Sequence, residues 1–317
     1  MSFGDQFHIE IRRSPDPWDT TVNVDQWFTT TENLLRKIAG SKSGQALLQA
    51  ISDSGFWVTI QPLNWTECNA HGAPYSEVQK TRIFKAIVKF DPGVFAKGSH
   101  CFEAKLGTKY NRGGLPDEVL FHELVHAMRA CTGTRNKQPI SGGLWRYGDT
   151  EEFFAVVVTN IYISEGAKQG SSGIRGGERG KIPLESYFSN SLCFFASSTQ
   201  ILPRMKEFKK MHEQLFTDLS MVKAGFNPIK AMLEFPKAVE NISNARATIA
   251  HEAGAEKHQK WLDDKRLAEL RAAAQSQSAQ VQKELEATVS AIMNASPNEV
   301  ANQLGLLGKE AVEVMGL

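Results

Sequence analysis

Four cysteines, Cys68, Cys101, Cys131 and Cys193, are scattered through 317 residues with no C-x-x-C pair among them. That spacing supports neither a cysteine zinc site nor a disulfide framework, and it fits free thiols in a reducing compartment. An excess of one charge is also missing. Lys and Arg number 36 against 35 Asp and Glu, leaving a formal +1, so no global field draws the chain toward nucleic acid or an anionic membrane. No apolar run approaches the length of a membrane span. From Met1 to Ser14, Phe3, Phe7, Ile9 and Ile11 alternate with polar residues, a strand pattern in place of the charged-then-apolar order of a secretory signal. The expectation is a protein with no nucleic-acid partner and no membrane span, exported, if at all, without a cleaved signal peptide. At 41% hydrophobic and 22% charged, the chain can bury a sizeable core.

What the chain does contain is Phe121-His122-Glu123-Leu124-Val125-His126-Ala127-Met128. This is H-E-x-x-H, and on a helix the i, i+4 spacing puts both imidazoles on one face, where two nitrogens can hold one zinc ion. Glu123, next to His122, is placed to act as general base on a water at that metal. The flanks suit a helix. Leu120, Leu124, Val125 and Met128 form an apolar stripe, Pro116 can open the helix, Asp117 and Glu118 suit its first turn, Arg129 suits its last, and Gly133 can cap it. The competing account is a buried helix whose histidines are satisfied by hydrogen bonds. A second H-E pair, His251-Glu252, has Ala255 where the next histidine would stand and reads as surface helix.

A zinc peptidase needs a third protein ligand and one open position. The metzincin pattern would place a Gly three and a His six residues after His126; those places hold Arg129 and Thr132, which excludes that class. The gluzincin arrangement takes a Glu from a later helix, and Asp149-Thr150-Glu151-Glu152-Phe153-Phe154-Ala155-Val156 offers Glu152 and Glu151, with Glu165 further on. Asp149 and Glu152 also have the spacing of a capping box, in which Glu152 would serve only backbone N–H groups. The Glu-Phe-Phe-Ala string resembles the third-ligand helix of the anthrax lethal factor group, and that resemblance selects Glu152.

Around these motifs, helices are expected over Val24 to Ile38 and Ala46 to Ile51, and strands over Phe56–Ile60 and Ile83–Phe90. Strand, loop and motif helix in that order suit a zincin, with an edge strand beside the active-site helix that can pair with an extended peptide. His8, His71 and His100 read as surface or supporting histidines. Tyr147, in a glycine-flanked loop, is either a donor to a developing oxyanion or a residue packed under the loop with Trp145, and Asn160 is placed to orient a ligand. Lys168 to Lys181, rich in Gly and Ser with Arg175, Arg179 and Lys181, reads as a mobile basic loop, a solvated linker in preference to a clamp on substrate. From Ser198 onward Met205, Phe208, Leu215 and Leu219 recur at helical spacing, a charged, alanine-rich segment runs to about Asn294, and Ser296-Pro297-Asn298-Glu299 opens one more helix. The expected fold class is α+β, with a zincin-like catalytic domain over 1–197 and a mostly helical region over 198–317.

The string from Phe121 to Ala127, Gly133 behind it, and Glu151-Glu152 opening a helix that reaches Asn160 resemble the NleD-type effector zinc metallopeptidases of bacterial pathogens. The likeness spans roughly Arg82 to Tyr162, and the long helical tail departs from the compact members. It implies that His122, His126 and a downstream Glu bind one Zn²⁺ per chain, with Glu123 as catalytic base. It also implies a protein made in the bacterial cytoplasm and delivered into a target cell, where it cleaves a protein substrate, with a secretion chaperone or adaptor as a possible partner. The alternative from another class is a non-catalytic zincin-like interaction protein acting through its helical region; a purely structural zinc site has no need of Glu123.

Overall fold

The structure, a computed structural model, describes residues 2–13, 23–63, 70–95, 115–140, 144, 147–166, 173–175, 181–182 and 190–247. It is mixed α+β with a small sheet. The chain forms two compact units: one holds residues 1–139, 147–171 and 175–181, the other residues 140–146, 172–174 and 182–317. Among the described residues no helix is long and apolar enough to cross a membrane.

The first unit is built on a sheet of β1 (Ile9–Ile11), β2 (Trp57–Gln61), β3 (His71–Gln79) and β4 (Arg82–Lys89), in the order β1-β2-β4-β3. β1, β2 and β4 run parallel, and β3 returns antiparallel along β4. Ile9 and Ile11, Val58 and Ile60, and Ala86 and Val88 are in register and fully or nearly fully buried. This alternation turns one face of the sheet to the core. The helices are α1 (Val24–Ala39), α2 (Lys42–Asp53), α3 (Pro116–Cys131) and α4 (Thr150–Glu165). α3 packs on β3 and β4 as well as on α1, α2 and α4.

Local chemistry sets where the helices begin and end. Asn23 and Ser41 accept from the Gln26 and Gly44 N–H groups. These bonds satisfy donors that a helix N-terminus leaves without partners. α3 has Pro116 in its first turn, and Glu118 reaches back to accept from the Leu115 N–H at 3.0 Å. At its other end Gly133 takes φ +68°, with its N–H on the Ala130 carbonyl and the Thr134 N–H on the Arg129 carbonyl, the paired bonds of a Schellman stop.

Three expectations change. The first eleven residues include a 3₁₀ turn, Phe3–Phe7, before the short strand, because Gly4 and Asp5 favour a local turn over a ladder. The strand beside the motif helix is β3, which the sequence reading left without structure. Gly72 and Pro74 lower its β propensity, yet an edge position tolerates both. Arg175 sits in a short strand with a buried side chain, so it is no part of a solvated linker.

In the second unit, α5 (Ser191–Ala196), α6 (Ile201–Met211), α7 (Glu213–Ser220) and α8 (Pro228–Glu234) are followed by helical residues 236–247. Buried Phe194, Phe195, Phe208, Phe216 and Phe226 contribute to its core, and Met205, Leu215 and Leu219 lie on the buried faces as their spacing predicts. Asn227 is 2% exposed and ties the bundle polar group by polar group: its amide donates to the Leu219 and Val222 carbonyls, and its Oδ1 caps the Lys230 N–H. The expected helices at 250–294 and 296–299, together with His100, Cys68 and Cys101, lie outside the described residues.

Candidate metal centre

α3 and α4 are antiparallel neighbours, and their register follows from a few contacts. The Tyr162 hydroxyl donates to Asp117 Oδ2 at 2.6 Å, and the Tyr162 ring stacks on Phe121 with centroids 4.3 Å apart. Lys37 pairs with the other Asp117 oxygen at 2.9 Å. With that end clamped, His122 and His126 one and two turns along α3 face Glu152 and Glu151 at the start of α4. Glu165, at the far end, accepts from the Lys42 and Ser43 N–H groups and the Ser43 hydroxyl. It caps α2 and is not a ligand candidate.

Glu152 and Glu151 divide the work between them. The Glu152 carboxylate presents Oε2 to His122 Nε2 at 3.2 Å and Oε1 to His126 Nε2 at 3.1 Å, and the two Nε2 atoms are 3.2 Å apart. Donors held about 2.0–2.1 Å from zinc at tetrahedral angles are separated by roughly 3.3–3.4 Å. Each of these separations, two of them to different oxygens of Glu152, is close to that edge length, so the His122, His126 and Glu152 side chains fit a divalent metal of zinc's size. Only half of the capping box is made. Asp149 accepts from the Glu152 N–H at 2.8 Å, but the Asp149 N–H goes to the Tyr147 carbonyl, leaving the Glu152 side chain to the histidines.

Supporting contacts assign the tautomers. Thr159 Oγ1 donates to the Ala155 carbonyl at 2.7 Å, so it is left to accept from His122 Nδ1–H at 3.2 Å. Glu151 accepts from His126 Nδ1–H at 3.0 Å. Both Nε2 lone pairs then point to the shared centre. Glu151 is 1% exposed and also takes Arg129 Nε–H at 2.8 Å and the Asn136 N–H at 3.2 Å.

These contacts set the ionisation of the group without metal. Burial opposes charge on His126, but hydrogen bonds to Glu151 and Glu152 outweigh it and raise its pKa to about 10. His122 is pushed down by burial and by Arg175. Burial works against ionised Glu152, yet His122 and His126 hold it well below the ordinary carboxylate range, and His126 with Arg129 lowers Glu151 likewise. A metal must displace the His126 proton. Zinc affinity should therefore fall about tenfold for each unit of pH lowered between roughly pH 9 and 6, measured by competition with a chelator of known affinity. An affinity flat across that interval would show that His126 is already neutral. In the metal-free protein the same shift contributes stability that is fully present below the ordinary histidine pKa and lost as pH rises toward 10.

Glu123 lies in the same cavity, of about 300 Å³, whose walls include His122, His126, Glu152 and Arg175. Its Oε2 accepts from the Gly72 N–H of β3 at 2.6 Å. A Cβ at Gly72 would lie 2.6 Å from the Glu123 carbonyl oxygen and 2.8 Å from His126 Cβ, so glycine is what lets the edge strand approach the helix this closely. Pro74, two residues along the same edge, has no N–H.

Other candidates fall elsewhere. Tyr147 is 4% exposed and packs edge-on against Phe153 at 5.2 Å; it does not line the cavity. His71 is at the cavity wall, exposed. Asn160 orients no metal ligand but holds the Arg175 backbone through both of its amide atoms, at 2.7 and 2.8 Å. That clamp brings to the cavity wall Arg175, which the sequence reading placed by preference in a solvated linker. Burial pulls the Arg175 guanidinium below its ordinary range, opposed by Glu123 and Glu152, and it remains charged. The signal for it in sequence was the basic character of its loop, with Arg175 fifteen residues after Asn160. Neither a protein-family model nor a curated protein nor a solved structure matches this chain.

Proposed function

We propose that this chain is a zinc-dependent endopeptidase with a zincin-like catalytic unit. The observation that carries the reading is the convergence of the His122 and His126 Nε2 atoms, 3.2 Å apart, on the two oxygens of Glu152, at 3.2 and 3.1 Å, in the wall of a cavity that Glu123 also lines. A zinc ion bound there would supply Lewis-acid chemistry, polarising a peptide carbonyl and making water acidic enough to ionise near neutral pH. Glu123 takes the proton from the attacking water and returns it to the leaving amine as the C–N bond breaks. The Gly72 N–H holds one of its oxygens, and Oε1, with no hydrogen bond among the described residues, is the one that takes and returns the proton. Arg175, and not Tyr147, faces the negative charge that develops on the carbonyl oxygen. Delivery to a target cell, and a host or rival protein as substrate, follow from the resemblance to effector peptidases and complete the proposal.

The test is metal content followed by turnover. Purified full-length protein should carry about one zinc per chain, and the zinc-loaded protein should cut a mixed peptide library at internal bonds, stop with chelator and resume with added zinc. A folded protein that takes up no zinc would sink the proposal. Within it, Arg175→Gln should lower kcat by about 10²–10³ with zinc content unchanged, while Tyr147→Phe should stay within about twofold of the parent. Equal effects from the two substitutions would remove Arg175 from its role.

A further inference from the structure

The loop that leaves α3 carries two cations to the cavity wall, Arg135 and Lys137. Between them the Asn136 N–H is pinned to Glu151 Oε2 at 3.2 Å, while the Gln138 carbonyl accepts from the Thr150 N–H. The loop is thus tied down on both sides of Lys137.

Among the described residues Arg135 makes one long ion pair and Lys137 none. Arg135 has a side chain 13% exposed, and its Nε and Nη1 are buried without a hydrogen-bond partner. Its nearest carboxylate oxygen, Glu151 Oε1, stands 3.8 Å away and already accepts from His126. Buried guanidinium donors left in this way mark an incomplete arrangement. Lys137 is exposed at the rim and has no ion pair among the described residues. Charge balance points the same way. With Glu151 neutralised by Arg129, the remaining wall carboxylates, Glu123, Asp149 and Glu152, are matched by Arg135, Lys137 and Arg175, so a divalent ion makes the cavity net positive.

We infer that Arg135 and Lys137 form a specificity subsite for an oxyanion on the substrate, a carboxylate or a phosphate carried by the peptide beside the scissile bond. The Arg135 guanidinium lines the cavity and supplies N–H donors and charge for such a group, and Lys137 adds charge at the entrance. This rests on the metal centre proposed above.

The experiment measures binding, which does not depend on turnover. Zinc-loaded full-length protein is titrated calorimetrically with α-hydroxamates of N-acetylglutamate, N-acetylglutamine, N-acetyllysine and N-acetylphosphoserine. The hydroxamate grips the metal alike in all four, so the side chain alone is compared. The glutamate or the phosphoserine probe should bind about tenfold or more tighter than the glutamine probe, the lysine probe most weakly, and the tighter of the two anions identifies the source. In Arg135→Gln and Lys137→Glu proteins of unchanged zinc content that advantage should shrink to about threefold or less, and Arg135→Lys should restore part of it. If Arg135→Gln loses its metal, Lys137→Glu at the exposed rim decides. Equal binding of all four probes, no binding to zinc-loaded protein, or an advantage that survives the variants overturns the inference. A protein that takes no zinc fails at the metal centre instead. One that shows the preference but cuts no peptide keeps the subsite and loses the peptidase assignment.

Discussion

Replacing Glu123 by Gln should lower peptide turnover by about 10²–10⁴-fold, the range supplied by a positioned general acid–base group, with about one zinc per chain still bound. The substitution suits this site because the amide oxygen can still accept from the Gly72 N–H, which now meets Glu123 Oε2 at 2.6 Å. The strand-to-helix approach is kept and basicity alone is lost. The fall should appear in kcat, with KM little changed, since a group needed in the transition state does not alter substrate binding. Turnover within tenfold of the parent would remove Glu123 as the base. Loss of zinc in parallel would make its role structural.

The second large effect separates two adjacent glutamates. Glu152→Ala removes the carboxylate that meets both Nε2 atoms. If structural zinc sites bind with about 10–16 kcal/mol over four ligands, one ligand is worth roughly 2.5–4 kcal/mol, so affinity should drop about 10²–10³-fold. Glu151→Ala should weaken zinc by about 10–100-fold, because His126 loses the acceptor that orients it. Its main effect lies in stability. Arg129 is 0% exposed and its Nε is bonded to Glu151 at 2.8 Å, so removing the carboxylate strands a buried cation at a cost of about 3–5 kcal/mol. Chelator competition and denaturant unfolding with chelator present read the two quantities separately. A greater loss of zinc from Glu151→Ala, with stability intact, would reverse the roles.

These pairs also mark where one-dimensional pattern stops being informative. The H-E-x-x-H helix, its Pro116 start and its Gly133 stop were legible because each depends on neighbours within four residues: the helical repeat sets which side chains share a face, and a positive φ selects glycine. The buried strands β2 and β4 were legible because their β-branched and aromatic content is a local signal. β3 was not. An edge strand beside a helix is stabilised by its partners, and its Gly72 and Pro74 read as loop until Glu123 supplies the partner for the Gly72 N–H.

The choice between Glu151 and Glu152 was likewise beyond the sequence itself. Consecutive helical residues point about 100° apart, and which of them meets the histidines depends on how α4 is turned against α3. That orientation is set by Tyr162 on Asp117 and Phe121, more than thirty residues away in the chain. Arg175 lies in a stretch whose glycine, serine and charge resemble a solvated linker, and it enters the cavity because Asn160 holds its backbone. By itself the sequence determined the candidate metal-binding residue types and their shared helical face, and its resemblance pointed to Glu152. The tertiary structure alone decided how Glu152 and Glu151 divide between the two histidines, which cations surround them and which strand edge approaches them, because burial and charge pairing between distant segments are properties of the packed chain.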